Sequence, residues 1–478
     1  MTSTSSLPSP DRTVPPPGGR ILLALLLLLL LTLPLPFGGA RPWAANLFVM
    51  AAGALLAGWT LLSLRGSGRE GGLWPHGTGP ALAVAAVALW AVLQALPVWP
   101  EAIAHPLWAE TGAILGRDIG HRISLAPDAT IRSAGMLAAC AAIFFVSAQL
   151  CRNRRNAHRL LAAVVAGCLF YAVYGIATYL FLDNRILWME RWAYHDDVAS
   201  TFVNRNSFAC FAALGLVSTL ALLVGKLSEA WTDPDTRRLA LLGMVERAGT
   251  YGLILLAAAV VLLSGILMSH SRGGLAAAAA GSAVAILLCA RARRRTGLLR
   301  ALLLLCGLVG LTVMLQIGGE GTIFRIVNEG AVQAREIYNT VMLRAIASSP
   351  LVGYGMGAFE QTFSLFLDRQ AALALSGNAP LLSVDRGHND YLEGMLGLGI
   401  PAALVLWGSI AAVAIRCVRG SVTRRRDWAC PGAAAAAVTV VAVHSLVDFS
   451  LQMPAVAATC AALLGMGHAQ SRSSRDPS

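Results

Sequence analysis

Apolar residues in this chain come in long unbroken blocks of about 17–25 positions, the length that crosses a bilayer as a helix. The blocks predict twelve membrane helices, at about 21–37, 43–64, 80–98, 130–150, 160–182, 205–224, 251–269, 274–290, 298–316, 389–415, 431–449 and 453–468. The first follows Arg12 and Arg20 but has no small-residue cleavage site after it, so it reads as a retained signal-anchor. The Ser, Thr and Pro-rich residues 1–19 before it predict a disordered tail. Polar positions gather in three longer segments, about 99–129, 183–204 and 317–388. In the last, 331–348 predicts a helix closed by Ser348-Ser349-Pro350, with Ile337, Val341 and Arg344 on one face. A glycine-rich turn, Pro350-Leu-Val-Gly353-Tyr-Gly355-Met-Gly357, comes next, and then a mobile stretch over 366–384. No strand precedes that turn, so it is not a dinucleotide fingerprint.

Composition agrees with a membrane protein: 56% of residues are apolar, and the mean hydropathy is +0.64. Charge sets the orientation. With the N-terminus inside, the clusters Arg152/Arg154/Arg155/Arg159, Arg291/Arg293/Arg294/Arg295 and Arg416/Arg419/Arg424/Arg425/Arg426 all fall on the cytoplasmic side. Twelve spans bring the C-terminus, with Arg472 and Arg475, back to the same side. The net charge of +12 therefore reads as topology and contact with anionic membrane lipids, not as nucleic-acid binding. The nine cysteines lie within predicted helices or at their cytoplasmic ends without CxxC spacing, which disfavours a disulfide framework or a zinc site.

Four polar constellations fall on the external side. Ser271-Arg272-Gly273-Gly274 is a tight turn holding one arginine near the outer surface, either as a snorkelling lipid contact or as a phosphate grip. Thr201-Phe-Val-Asn204-Arg205-Asn206-Ser207 opens a helix, where capping is the plain reading and a sugar- or phosphate-facing set the functional one. Arg344 stands on an otherwise apolar face, where an acid such as Glu336 or Glu360 could pair with it. Asp385-Arg-Gly-His388-Asn389-Asp390-Tyr-Leu, with Glu393 beyond, ends the long loop, with Asp385 and Asn389 as candidate caps. Arginines converging near the outer surface suit a diphosphate, and a neutral histidine beside them can accept a proton from a hydroxyl. No ATP is available outside the membrane, so group transfer there needs a preactivated, lipid-borne donor such as a lipid diphosphate sugar.

The order of these elements resembles the O-antigen ligase/Wzy-type polymerase superfamily. The resemblance rests on Ser271-Arg272-Gly273-Gly274, on Arg344 followed by Ser349-Pro350-Leu-Val-Gly353-Tyr-Gly355, and on His388-Asn389-Asp390-Tyr391-Leu392 with Gly394, Gly397, Gly399 and Pro401. Thr201-Phe-Val-Asn204-Arg205-Asn206 is similar to a further element of many members, and the likeness covers about 200–410. It implies a GT-C-like, metal-independent, inverting glycosyltransferase in a bacterial inner membrane, with both termini cytoplasmic and the active face periplasmic. The donor would be an undecaprenyl-diphosphate-linked glycan and the acceptor a lipid or glycan hydroxyl; no cofactor is implied. Arg272 and Arg344 take the diphosphate, and His388 activates the acceptor. Asn204, Arg205, Asn389 and Asp390 line the substrate groove. Residues 1–19 are then a cytoplasmic tail and 20–200 the N-terminal membrane helices. Residues 201–415 form the catalytic region with its periplasmic loop 317–388, and 416–478 the last helices and cytoplasmic tail.

Ligase, polymerase and protein O-oligosaccharyltransferase share this chemistry, so the scaffold does not choose among them. Two other classes stand beside it. A non-catalytic transporter or flippase fits twelve spans with both ends inside, though the polar residues gather at one end and not at mid-membrane. A metal enzyme would use Asp385, His388 and Asp390, although Asp385 and Asp390 fit better as groups that orient His388.

Overall fold

The structure is a computed structural model that describes residues 17–65, 77–230, 242–293, 323–376, 384–424 and 428–471. Residues 1–16 of the predicted tail, the predicted span 298–316, the loop residues 317–322 and 377–383, Arg294 and Arg295, Arg425 and Arg426, and Arg472 and Arg475 lie outside the described residues. Among those described, the fold is all helical, apart from one isolated bridge between Ile186 and Met189.

Among the described residues, seven helices are long and apolar enough to cross a membrane: Pro42–Arg65, Thr78–Ala95, Pro127–Leu150, Arg154–Phe181, Arg205–Lys226, Gly249–Met268 and Ile400–Thr423. Gly18–Thr32, Arg272–Leu288 and Ala429–His444 are shorter apolar helices. The first helix starts at Pro17, inside the segment predicted as tail. The longer polar segments supply Leu107–Leu115, Ile323–Ser348, Phe359–Phe366 and Arg369–Ser376. Residues 369–376 are thus helical where the sequence predicts a mobile stretch.

The centre of the bundle is made by Arg205–Ala230, Ala429–His444 and Pro454–Gln470, each buried along most of its length. Lipid is as apolar as leucine, so helices associate there by close packing and not by expelling water. Small side chains serve that purpose. Pro454–Gln470 is mostly Ala, Gly and Cys, and its Gly465 sits so near the Phe144 carbonyl that no side chain would fit between them. Of the cysteines, Cys151, Cys168, Cys210, Cys417, Cys430 and Cys460 are buried free thiols that act as small packing groups, and Cys140 is a half-buried one. The rim is formed by Pro42–Arg65 and Ile400–Thr423, whose outer faces expose Leu47, Met50, Leu61, Leu404 and Ile415.

Two predicted helices end differently, and both differences shape the site. The run 389–415 is not one helix but Asp390–Leu398 followed by Ile400–Thr423. The break is Gly399, at φ 79° and ψ 156°, a conformation open only to glycine, and Pro401 sits in the first turn of the next helix. The backbone groups freed there are taken up by the glycine-rich turn. Ile400 N–H donates to Pro350 O at 2.8 Å, Gly355 N–H to Gly397 O at 2.9 Å, and Tyr354 N–H to Leu396 O at 3.0 Å. Gln94 and Trp90 side chains complete the set by donating to Gly397 O and Leu398 O. The run 431–449 likewise stops early, at His444. Residues 445–453 then cross the end of the bundle before Pro454 starts the last helix.

Candidate active site at one end of the bundle

The crossing segment carries Asp448, which organises the site. Its Oδ1 lies 3.3 Å from His388 Nδ1, and the carboxylate is almost wholly buried. The ring N–H does not point straight at the oxygen, so this is an ion-pair contact that a small ring rotation would align. Tyr338 lies nearly parallel to the His388 ring, 6.1 Å away between centroids, and Phe449 meets it edge-on at 4.9 Å. The imidazole is therefore packed against two aromatic rings, with Nδ1 toward a carboxylate. That pairing favours the tautomer whose Nε2 carries the lone pair. Burial pushes the Asp448 carboxyl up, but His388, His444 and the Phe449 N–H outweigh it and hold it below the usual range. Asp448 is a charged partner for His388.

His388 itself sits in left-handed backbone, at φ 51°. So do Tyr194, Ser200 and His270, all around the same end. Strained non-glycine residues of this kind persist where the surrounding structure over-determines them, and they cluster at working sites. Here Glu393 supplies part of the constraint. It accepts the Gly387 N–H at 3.0 Å and stands 3.8 Å from Arg386.

Each residue of the histidine motif has its own task. Asn389 caps the following helix, accepting the N–H groups of Tyr391 and Leu392 at 3.1 Å each. Asp390 staples that helix to the crossing segment. It accepts Ser445 Oγ–H at 2.8 Å and the Leu451 N–H and Gln452 Nε2–H at 3.3 Å. Burial pushes its carboxyl up to about 7, and Glu393 adds to the rise, while the Ser445, Gln452 and Leu451 bonds oppose it. Asp390 therefore faces Ser445 and Gln452, and the carboxylate beside His388 is that of Asp448, not that of Asp390 as the sequence suggested. Among the described residues, no group of three or more His, Cys, Asp or Glu is placed to hold a metal ion.

The Ser271-Arg272 turn abuts the same crossing segment. A methyl placed on Gly273 would lie 2.8 Å from Val447 Cγ2 and 3.9 Å from His444 Nε2. Ser271 caps the Arg272–Arg293 helix by accepting the Gly274 N–H at 3.1 Å. The asparagine-rich element also arrives here. Asn204 Oδ1 accepts the Asn206 N–H at 2.7 Å, so Asn204 is a cap. Asn206 Nδ2 donates to Asp448 Oδ2, and Arg205 binds both oxygens of Asp197 at 2.8 and 2.9 Å. Asp197 in turn accepts His270 Nδ1 at 2.8 Å. The result is two histidine–carboxylate pairs, His388–Asp448 and His270–Asp197, tied by the adjacent residues Arg205 and Asn206.

The segment 182–204 that delivers Asp197 is braced by Arg191. Its buried guanidinium donates to the carbonyls of Asn184, Ser200 and Phe202. Arg344 is not brought into this cluster. It lies exposed on the Ile323–Ser348 helix and pairs with Asp368 at 2.6 Å. From the same helix it is Arg335 whose charge reaches Tyr194, between the two histidine pairs.

The fold and these pairs define a polytopic helical membrane protein with one ionisable site at the end of its bundle. Residues 257–407 match the family model described as O-Antigen ligase. That match supports the resemblance to the O-antigen ligase superfamily over this part of the chain, and the matched region contains Arg272, Arg344 and His388. A search of curated proteins found no match.

Proposed function

We propose that this chain is a bacterial inner-membrane glycosyltransferase working on the periplasmic face. It moves a glycan from an undecaprenyl-diphosphate carrier to an acceptor hydroxyl, as a ligase or polymerase of polysaccharide. The observation that carries the reading is the His388–Asp448 pair set beside the Arg272 turn at one end of the bundle. His388 Nε2 takes the acceptor proton, Asp448 steadies the imidazolium that forms, and Arg272 holds the diphosphate as charge develops on it. Arginine keeps its charge throughout, so the residues can stabilise the leaving group without a metal. Arg205 stands at the inner wall with Asp197. Arg344 is at the rim, placed to meet the donor's outer part. Asn204, Asn389 and Asp390 line and hold the groove through the caps and staple they form. Twelve spans, both termini cytoplasmic and a GT-C-like plan belong to this reading.

The test is transfer in proteoliposomes, with the purified protein, a lipid-diphosphate glycan and candidate acceptors. A new glycosidic bond is expected, in wild type and in excess chelator, and absent with His388→Ala. Movement of the donor across the bilayer without bond formation would instead identify a flippase. Loss of transfer in chelator would return the metal reading.

A further inference from the structure

His270 is outside every motif that drew attention in the sequence, yet it has the same kind of partner as His388. Its Nδ1 is 2.8 Å from Asp197 Oδ1, the carboxylate is largely buried, and the imidazole is half exposed at 54%. Its backbone is left-handed, at φ 51°, immediately before the Arg272–Arg293 helix. Asp197 is fixed independently of it: the Asn184 side chain donates to its carbonyl at 3.0 Å, and the next residue, Val198, donates to Met268 O at 3.0 Å. The carboxylate thus stands ready, and the ring is turned outward two residues from Arg272.

We infer that His270, oriented by Asp197, touches the diphosphate of the donor and gives it a proton as the sugar leaves, a role complementary to that of His388. This inference rests on the proposed glycosyl transfer. In the step, the acceptor oxygen bonds to the anomeric carbon while the bond from that carbon to the phosphate oxygen breaks. The electron pair of the broken bond stays on the diphosphate. The acceptor's proton passes to His388 Nε2, and the proton on His270 Nε2 passes to the departing diphosphate. Both imidazoles return to their starting forms by exchange with water.

Three features suit His270 to this part. With Nδ1 held by the carboxylate, Nε2 is the nitrogen left for a ligand. Arg205 shares the same carboxylate, so Asp197 orients the imidazolium without neutralising it alone. The adjoining helix N-terminus and Arg272 draw an anion to the same place. An arginine can hold a leaving group but cannot protonate it, and a histidine can do both near neutral pH. The ionisable groups around His270 are Asp197 and Tyr194 on the 182–204 segment, Arg205 on the next helix and Arg272 on its own. Arg335, His444 and Asp448 lie beyond them.

The experiment compares wild type, His270→Gln and Asp197→Asn in glycan transfer across pH, with monodisperse elution in detergent as the fold control. His270→Gln keeps the size and the hydrogen bond but carries no transferable proton. It should lower kcat by about 10²-fold with little change in donor KM, and flatten the alkaline limb of the profile. Asp197→Asn leaves the imidazole but removes the anion that favours its charged form, so it should move the same limb to lower pH, which keeps the test intact if the glutamine variant does not fold. Wild-type kcat and profile in a folded variant would overturn the inference while leaving the transfer reaction standing. If wild type transfers no glycan, the transfer reaction falls, and binding of undecaprenyl diphosphate decides. Wild-type affinity that weakens as pH rises, with a flat response in His270→Gln, supports the contact, and matching curves overturn it.

Discussion

The two ends of this bundle are both polar, and they use their charges in opposite ways. At one end the ionisable side chains meet each other: His388 with Asp448, His270 with Asp197, and Arg205 across both carboxylate oxygens. At the other, several of them fasten helix ends. Arg416 reaches His468 Nε2 at 3.3 Å, Arg424 donates to the Gln470 carbonyl, and Gln470 Nε2 donates to Cys151 O at 2.6 Å. Those contacts close helix ends whose last carbonyls have no partner in their own helix. The first end carries several left-handed non-glycine residues and a buried carboxyl raised to about 7. Interactions that only fasten helices gain nothing from strain or from a titratable pair. An end that carries both suits the proton transfer proposed above.

The largest effect that would break this contrast is at His388. Removing a positioned base is expected to cost about 10²–10⁴-fold in transfer, so His388→Ala should fall in that range and still elute as a folded protein. Arg416→Ala, at the opposite end, should transfer at close to the wild-type rate. Equal losses in the two variants, measured in one proteoliposome assay, would erase the distinction between the ends.

Asp448→Asn should come next, with a loss near the lower end of that range. The amide keeps the shape but no longer steadies the imidazolium. Asp448 also links the site to stability. Its folded carboxyl is depressed, so it stabilises the fold above the ordinary aspartate range, and that contribution is lost as pH falls through the folded value. A melting series in detergent below about pH 4 should therefore be steeper for wild type than for Asp448→Asn.

Asp390 has the opposite sign and sharpens the contrast within the site itself. Its folded carboxyl is raised to about 7, so its contribution is complete in acid, below the unfolded value, and is lost as pH rises toward 7. Asp390→Asn should flatten the fall in melting temperature between about pH 4 and 7, an effect of order a few kcal/mol at most. A variant curve parallel to wild type over that window would mean that Asp390 is charged throughout. It would then be acting as a second anion beside Asp448.

The sequence exposed the site's outline because its arginines and histidine interrupt apolar runs. Ser271-Arg272, Arg205 and His388 were all legible for that reason. Asp448 was not, since an aspartate at the end of the apolar run 431–449 reads as a helix terminus until the chain is seen to leave the helix at His444. His270 was hidden in the same way, at the margin of the run 251–269. The break at Gly399 leaves no trace in hydropathy, because the residues on both sides are apolar. It requires the Pro350–Gly357 turn, far away in sequence, to receive the freed backbone groups. Periodicity reports which faces are apolar; it carries no record of which carboxylate a ring nitrogen will find.

The smallest expected effect concerns the two arginines of the Ile323–Ser348 helix, and it separates what the family motif suggests from what the fold brings together. Arg344 is exposed and holds Asp368, itself an exposed residue, whereas Arg335 acts electrostatically on Tyr194 between the histidine pairs. If the donor's diphosphate settles beside His270 and Arg272, Arg335→Ala should slow transfer by roughly tenfold, the scale of one charge contact. Arg344→Ala should then change it by only a few-fold, chiefly through donor KM, because an exposed pair already shares its charge with water. The reverse order would mean that the Ile323–Ser348 helix turns inward when donor binds, exchanging Asp368 for phosphate. Donor KM for the two single variants and Asp368→Ala settles the order. Release of Arg344 by Asp368→Ala would lower KM in the second case and leave it unchanged in the first.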